Sequence, residues 1–169
     1  INGYDFKNKV KNRCFDLIEI GLKKNDKILI FTGQGCNYWV DFLASLCLGV
    51  IAIPISESLD INLVKKIIKK LKIKFYSSGS VRNYLNITLL KKSSKLRKNV
   101  IPFKENLKND ISIILFTSGT TGLPKGVCLT YAGLIGNLLS TSERLSLSKK
   151  NKLFSSTPFN FISSISHFL

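Results

Sequence analysis

Ile113-Ile114-Leu115-Phe116-Thr117-Ser118-Gly119-Thr120-Thr121-Gly122-Leu123-Pro124-Lys125-Gly126-Val127 is the stretch on which this chain of 169 residues turns. An apolar, β-branched run enters it, hydroxyls and glycines with one lysine fill it, and a second apolar run leaves it. The pattern predicts a strand, a polar loop and another strand. From Ser118 to Gly122 every residue is a hydroxyl or a glycine, so backbone N–H and side-chain O–H groups can converge on one point. Such a point suits an anion.

Two other readings compete. A Walker A loop needs a second glycine before the lysine, Ser or Thr after it to hold magnesium, and then a helix. Counted from Gly119, Pro124 stands at the glycine position and Gly126 at the hydroxyl position, and Val127 to Thr130 reads as strand. All three requirements fail. An ordinary surface hairpin is the plainer alternative, because Ser, Thr and Gly are common turn residues. The fixed order Pro124-Lys125-Gly126 argues against it.

Outward from the loop, helical and strand patterns alternate. Asp5 to Ile20 carries Phe6, Val10, Cys14, Leu17 and Ile18 at helical spacing, with Lys7, Lys9, Lys11 and Arg13 opposite and Gly21 as a stop. Lys27 to Phe31 reads as strand, Thr32 to Gly35 as loop, and Tyr38, Phe42, Leu43 and Leu46 as a helix ending at Gly49. Val50 to Ile55 reads as a buried strand that Pro54 stops. Asp60 caps a helix through Leu71, with Leu63, Ile67 and Leu71 inward and Lys65, Lys66, Lys69 and Lys70 solvated, and Lys72 to Ser77 follows as strand. A weak strand is expected near Asn99 to Phe103, a helix from Tyr131 to Leu147 and a strand from Lys152 to Ser156. The alternation predicts an α/β fold, a doubly wound and largely parallel sheet with ligands at the carboxyl ends of its strands, where Phe116 hands over to Thr117.

Composition narrows the function classes. The hydrophobic content of 44% is ordinary for a globular chain. Lys plus Arg total 26 against 10 Asp plus Glu, a net charge of +16 that invites a nucleic-acid reading. Only Arg13, Arg82, Arg97 and Arg144 are arginines, however, and arginine is what reads bases and phosphates bidentately. The charge leaves acidic partners open, an acyl carrier protein or an anionic lipid surface among them. Cys14, Cys36, Cys47 and Cys128 are too widely spaced for a zinc site. Cys14, Cys47 and Cys128 have apolar neighbours and read as core thiols of a reducing, cytoplasmic setting. The apolar run from Phe42 to Ile55 is too short and interrupted to span a bilayer.

Residue for residue, Thr117-Ser118-Gly119-Thr120-Thr121-Gly122-Leu123-Pro124-Lys125-Gly126 resembles the phosphate-binding signature of the acyl-adenylate-forming superfamily, the AMP-dependent synthetases and ligases. That group includes acyl-CoA ligases, luciferase-like enzymes and adenylation domains of nonribosomal peptide synthetases. The stretch from Lys27 to Ser56, with Asn37-Tyr38-Trp39 and Leu48 to Ile55, is similar to the superfamily more loosely, and Tyr131 stands where many members have a histidine. The resemblance implies that the chain is part of the large N-terminal domain of a longer enzyme, residues 1–169, with the C-terminal domain absent.

It also implies a reaction. A carboxylic acid joins the α-phosphate of ATP, pyrophosphate leaves, and the acyl group passes to a thiol of CoA or of carrier-protein phosphopantetheine. Ser118, Thr120, Thr121 and the backbone at Gly119 and Gly122 would cradle the β- and γ-phosphates, flanked by Thr117 and Gly126, with Lys125 as a point charge. Thr120 and Lys125 would thus serve catalysis. The Mg²⁺ ligand, the adenine and ribose contacts and a mobile lysine would lie beyond Leu169. In Ser156-Thr157-Pro158-Phe159-Asn160-Phe161-Ile162, Phe161 replaces a histidine common in acyl-CoA ligases, and Ile162 replaces the aspartate that holds an amino-acid ammonium. An apolar side chain cannot pair with that cation, which favours an amine-free acid. Phe159 and Phe161 equally suit a plain core. His167, the single histidine, reads as packed rather than as a base. The alternatives are a catalytically inactive nucleotide-binding relative and a basic nucleic-acid-binding domain.

Overall fold

The computed structural model describes residues 3–32, 37–77, 88–89, 108–117, 124–148, 150–152, 157, 160, 162–163 and 165. The expected strands at Asn99 to Phe103 and Lys152 to Ser156 lie wholly or mostly outside them. Four helices, α1 (Gly3–Glu19), α2 (Asn37–Leu48), α3 (Ile61–Leu71) and α4 (Tyr131–Arg144), accompany six strands among the described residues. The strands are β1 (Lys27–Thr32), β2 (Ile51–Ser56), β3 (Phe75–Ser77), β4 (Thr88–Leu89), β5 (Ile111–Thr117) and β6 (Lys125–Thr130).

They form one sheet in the order β4-β3-β1-β2-β5-β6. Every pairing is parallel except β5 with β6, which is antiparallel. Helices cover both faces. Leu17 of α1 and Phe42 of α2 pack with Ile28, Ile30 and Ile113 on one face, while Val64 and Ile67 of α3 pack with Leu29, Ile53 and Tyr76 on the other. Period-two alternation along β1 produces this split, since successive side chains point to opposite faces. The α/β, largely parallel expectation is met.

Local chemistry sets the boundaries. Gly21 and Gly49 adopt φ of 94° and 69°, a region that glycine enters most readily, and let Leu22 N–H reach Leu17 O and Val50 N–H reach Ser45 O. Asp60 caps α3 by accepting from Asn62 N–H at 2.9 Å and Leu63 N–H at 3.1 Å. Lys72 ends α3 in the left-handed region, so β3 begins at Phe75 and not at Lys72. Val64 and Ile67 form the buried ridge, and Leu63 and Leu71 are only half-buried. α4 stops at Arg144, short of Leu147, and leaves Ile135, Leu139 and Leu145 exposed.

Arg13 does not take the solvent side. Its side chain is 4% exposed, ion-paired with Asp41 of α2 and 3.7 Å from Asp16. Asp41 also accepts from the Ser77 hydroxyl at the end of β3. Burying a guanidinium is tolerable only because a carboxylate meets it inside. Asp41→Ala removes the nearer of the two carboxylates of Arg13 and leaves Asp16 beside the buried cation, and we expect a loss of about 3 kcal/mol in urea unfolding. Replacing Arg13, Asp16, Asp41 and Ser77 together with apolar residues of similar volume is expected to recover most of it.

Candidate functional site

Four parallel strands end in a hydroxyl residue: Thr32, Ser56, Ser77 and Thr117. Thr32 Oγ1 donates to Ile55 O at 3.1 Å, Ser56 and Ser58 share a 2.7 Å hydroxyl contact, and Thr117 Oγ1 donates to Lys125 O at 3.4 Å. The helix after β1 and the helix after β2 lie on opposite faces, the topology that leaves a crevice beyond the carboxyl ends of such strands.

Pro54 shapes that crevice. It occupies β2 between β1 and β5, a position that a residue without an N–H rarely holds. Pairing with β1 runs the length of both strands, from Lys27 with Ile51 to Thr32 with Ser56. With β5 the register holds only at Ala52 and Ile113, two residues before Pro54. A cleft of about 530 Å³ lies at the carboxyl ends of these strands. Its walls are the ends of β2 (Pro54 to Ser56) and β5 (Leu115 to Thr117), Val127 and Leu129 of β6, and Asn160 and Ile162.

Residues singled out in the sequence divide three ways. Thr117 and Pro124, at the two sides of the loop, and Ile162, remote in the chain, all line this cleft. Lys125 is exposed at the start of β6, paired in register with Thr117. Gly126 is paired with Phe116 and lines a second groove, of about 610 Å³, under α3. A Cβ at Gly126 would stand 3.2 Å from Ile114 Cγ2 and 3.4 Å from Phe116 Cε1, so the glycine admits their close packing. Ser118, Gly119, Thr120, Thr121, Gly122, Phe161, Phe159 and His167 lie outside the described residues. Pro54, Ser56 and Asn160 were not read as site residues from sequence; a proline near the end of a buried strand was the available signal.

The hairpin after the loop is anchored by Tyr131. Thr130 caps α4 by accepting from Gly133 N–H at 3.1 Å, and the buried Tyr131 hydroxyl donates to Leu46 O at 2.7 Å. Burial chiefly, with Cys47 and Asp110 nearby, holds that phenol well above its ordinary range. Cys128, expected in the core, is exposed because β6 is the sheet edge. Among the described residues no group of three His, Cys, Asp or Glu side chains is placed to hold a metal, and no helix is long and apolar enough to cross a membrane.

The model of a family described as AMP-binding enzyme matches residues 16–169. Luciferin 4-monooxygenase of Photuris pensylvanica is 28% identical over 146 residues, which cover 68% of this chain and 27% of that protein. A nonribosomal peptide synthetase of Gibberella zeae is 25% identical over 170 residues, 95% of this chain and 2% of its own length. Among solved structures, the fatty acyl-adenylate ligase from L. pneumophila, in complex with acyl adenylate and pyrophosphate, aligns with a TM-score of 0.82 at 22% identity, covering 99% of this chain and 32% of that one. The N-terminal domain of FACL13 from Mycobacterium tuberculosis aligns at 0.77 and 23% identity, covering 96% and 46%. The chain therefore spans less than half the length of each of these proteins.

Because the Tyr131 proton is held more tightly in the folded than in the unfolded chain, its contribution is complete below the ordinary phenol value of about 10 and is lost as pH rises beyond it. Denaturant titrations from pH 8 to about 11 should show stability falling above about 10. Tyr131→Phe should lower stability by about 1 kcal/mol at pH 8 and flatten that alkaline slope. An unchanged slope would exclude Tyr131 as its source.

Proposed function

Because the chain belongs to the AMP-binding enzyme family, we propose that it is part of an enzyme that activates a carboxylic acid with ATP, forming an acyl adenylate and releasing pyrophosphate. The observation that carries this reading is the meeting of Thr117, Pro124 and Ile162 at one cleft beyond the carboxyl ends of β2 and β5. Thr117 and Pro124, which flank Ser118 to Leu123 in the chain, both border a largely apolar recess.

The chemistry needs donors held in place where negative charge grows on a leaving pyrophosphate. Ser118, Thr120, Thr121 and the backbone at Gly119 and Gly122 supply them, and Lys125 adds a cation, all within a few residues of the β5–β6 register pair Thr117 and Lys125. Thr117 and Gly126 hold the ends of that loop. Magnesium accompanies ATP in this reading and lowers the charge of its phosphates, but the described residues contain no carboxylate cluster suited to the ion, so no ligand is assigned.

On the acid side, Ile162 and Asn160 border the cleft with Pro54, Leu115 and Val127. Among the described residues this wall is mostly apolar and carries no carboxylate for an ammonium group, which favours an acid of the fatty, aryl or another amine-free class. The acyl group then passes to a thiol of CoA or of phosphopantetheine on an acidic carrier protein, which the net charge of +16 would attract. A cytoplasmic setting accords with this reaction and with free thiols at Cys14, Cys47 and Cys128.

The test is carboxylate-dependent exchange of labelled pyrophosphate into ATP by the enzyme that contains this chain. Thr120→Ala and Lys125→Ala should each slow the exchange by about 10²- to 10³-fold, the scale set by losing one preorganised donor. Exchange at the parental rate in both variants would overturn the roles given to these residues.

A further inference from the structure

The groove of about 610 Å³ under α3 lies on the reverse face of the β5–β6 hairpin from the cleft. Strand alternation separates the two: Leu115, Thr117, Val127 and Leu129 border the cleft, whereas Ile114, Gly126 and Cys128 border the groove. Phe116 and Pro124, at the end of the hairpin, border both. Register pairs Ile114 with Cys128 and Phe116 with Gly126, so two large side chains on β5 stand opposite two small residues on β6. The groove is thus deepest toward β6, the open edge of the sheet. Ile67 and Leu71 of α3 complete its apolar floor.

Its charge is gathered on one rim. Lys66, Lys69 and Lys70 line the groove from α3, all exposed, and the last two stand three and four residues from the first, so the three project from about one helical turn. Among the described residues no carboxylate lines the groove with them. Cations clustered in one turn suit a single anionic head, whereas an acidic helix laid along the groove would spread its charges over several turns. The floor is also recessed. None of the exposed large apolar side chains among the described residues, Val127, Ile135 and Leu139 included, lines it, so a single chain can enter where a flat bilayer cannot reach.

We propose that this groove is a binding site for one free long-chain fatty carboxylate, with its head on Lys66, Lys69 and Lys70 and its tail along Ile67, Ile114 and Phe116 toward Cys128. The site is separate from the cleft proposed for adenylation and does not depend on that reading. Charge-assisted hydrogen bonds from the ammonium groups hold the carboxylate, and removal of the tail from water supplies the rest of the affinity.

The experiment uses the enzyme that contains this chain, without ATP, and follows by mass the rate at which N-ethylmaleimide alkylates the peptide carrying Cys128, an exposed thiol on the groove wall. Palmitate below its micellar concentration should slow that alkylation saturably. Shorter acids should protect less well, by about two- to fourfold in affinity for each methylene lost. 1-Hexadecanol, with the same tail and no charge, should bind about tenfold more weakly, and so should palmitate on the triple variant Lys66→Gln, Lys69→Gln and Lys70→Gln, the scale of losing a few exposed charge contacts. Equal protection by palmitate and the alcohol, or equal protection of parent and triple variant, would overturn the carboxylate site. A Cys128 that reacts at the same rate with and without palmitate, or that resists maleimide in the ligand-free enzyme because another part of the polypeptide covers it, would overturn the groove as a ligand site. Protection by phosphatidylglycerol vesicles and not by free palmitate would assign the face to a membrane and overturn the proposal as well.

Discussion

A proline has no N–H to give, and in this molecule that single deficit falls on the strand about which the sheet is built. β2 is buried on both faces and lies between β1 and β5. Along β1 it keeps a full parallel register, and along β5 it keeps one pair before Pro54. A sheet ordinarily resists opening because each lost ladder bond leaves a buried polar group unpaired. At Pro54 the donor is missing from the start, so that position of β2 has one fewer buried N–H to satisfy. Pro54 also lines the cleft that borders Thr117 and Ile162.

The architecture was legible where local signals were strong. Asp60 before an apolar ridge, Gly21 and Gly49 after helical runs, and the β-branched run into Thr117 each marked a boundary by its own chemistry. Four long helices and the buried β1 and β2 follow from them. The short β4, two residues long, offers no period to detect. In α3 the apolar residues crowd at 61, 63, 64, 67, 68 and 71, so choosing Leu63 over Val64 as the inward ridge was a matter of one residue's rotation, which only the sheet beneath decides.

The site was legible by resemblance more than by geometry. The order of residues from Thr117 to Gly126 named a chemistry, and the structure adds where the two ends of that loop stand relative to Ile162 and Pro54. Charge was the weakest guide. Arg13 belongs by its spacing to a lysine-rich outer stripe, yet it is buried, because its ion-pair partner Asp41 comes from an element 28 residues further along the chain, where Ser77 of β3 in turn donates to that carboxylate. Cys128 erred in the opposite sense: apolar neighbours in sequence do not bury a residue on a sheet edge.

The meeting of Arg13, Asp41 and Ser77 also discriminates against error. Apolar contacts between α1 and α2 are forgiving, since Val10, Cys14 and Leu17 recur at a spacing that nearly superimposes on itself after one turn. A helix slipped by that turn would keep much of its hydrophobic burial. It would also carry a guanidinium into an apolar wall with no carboxylate opposite, at a cost of several kcal/mol. The ion pair therefore tells the correct docking of the first helix from its nearest imitation, a choice that greasy surfaces alone would leave almost degenerate.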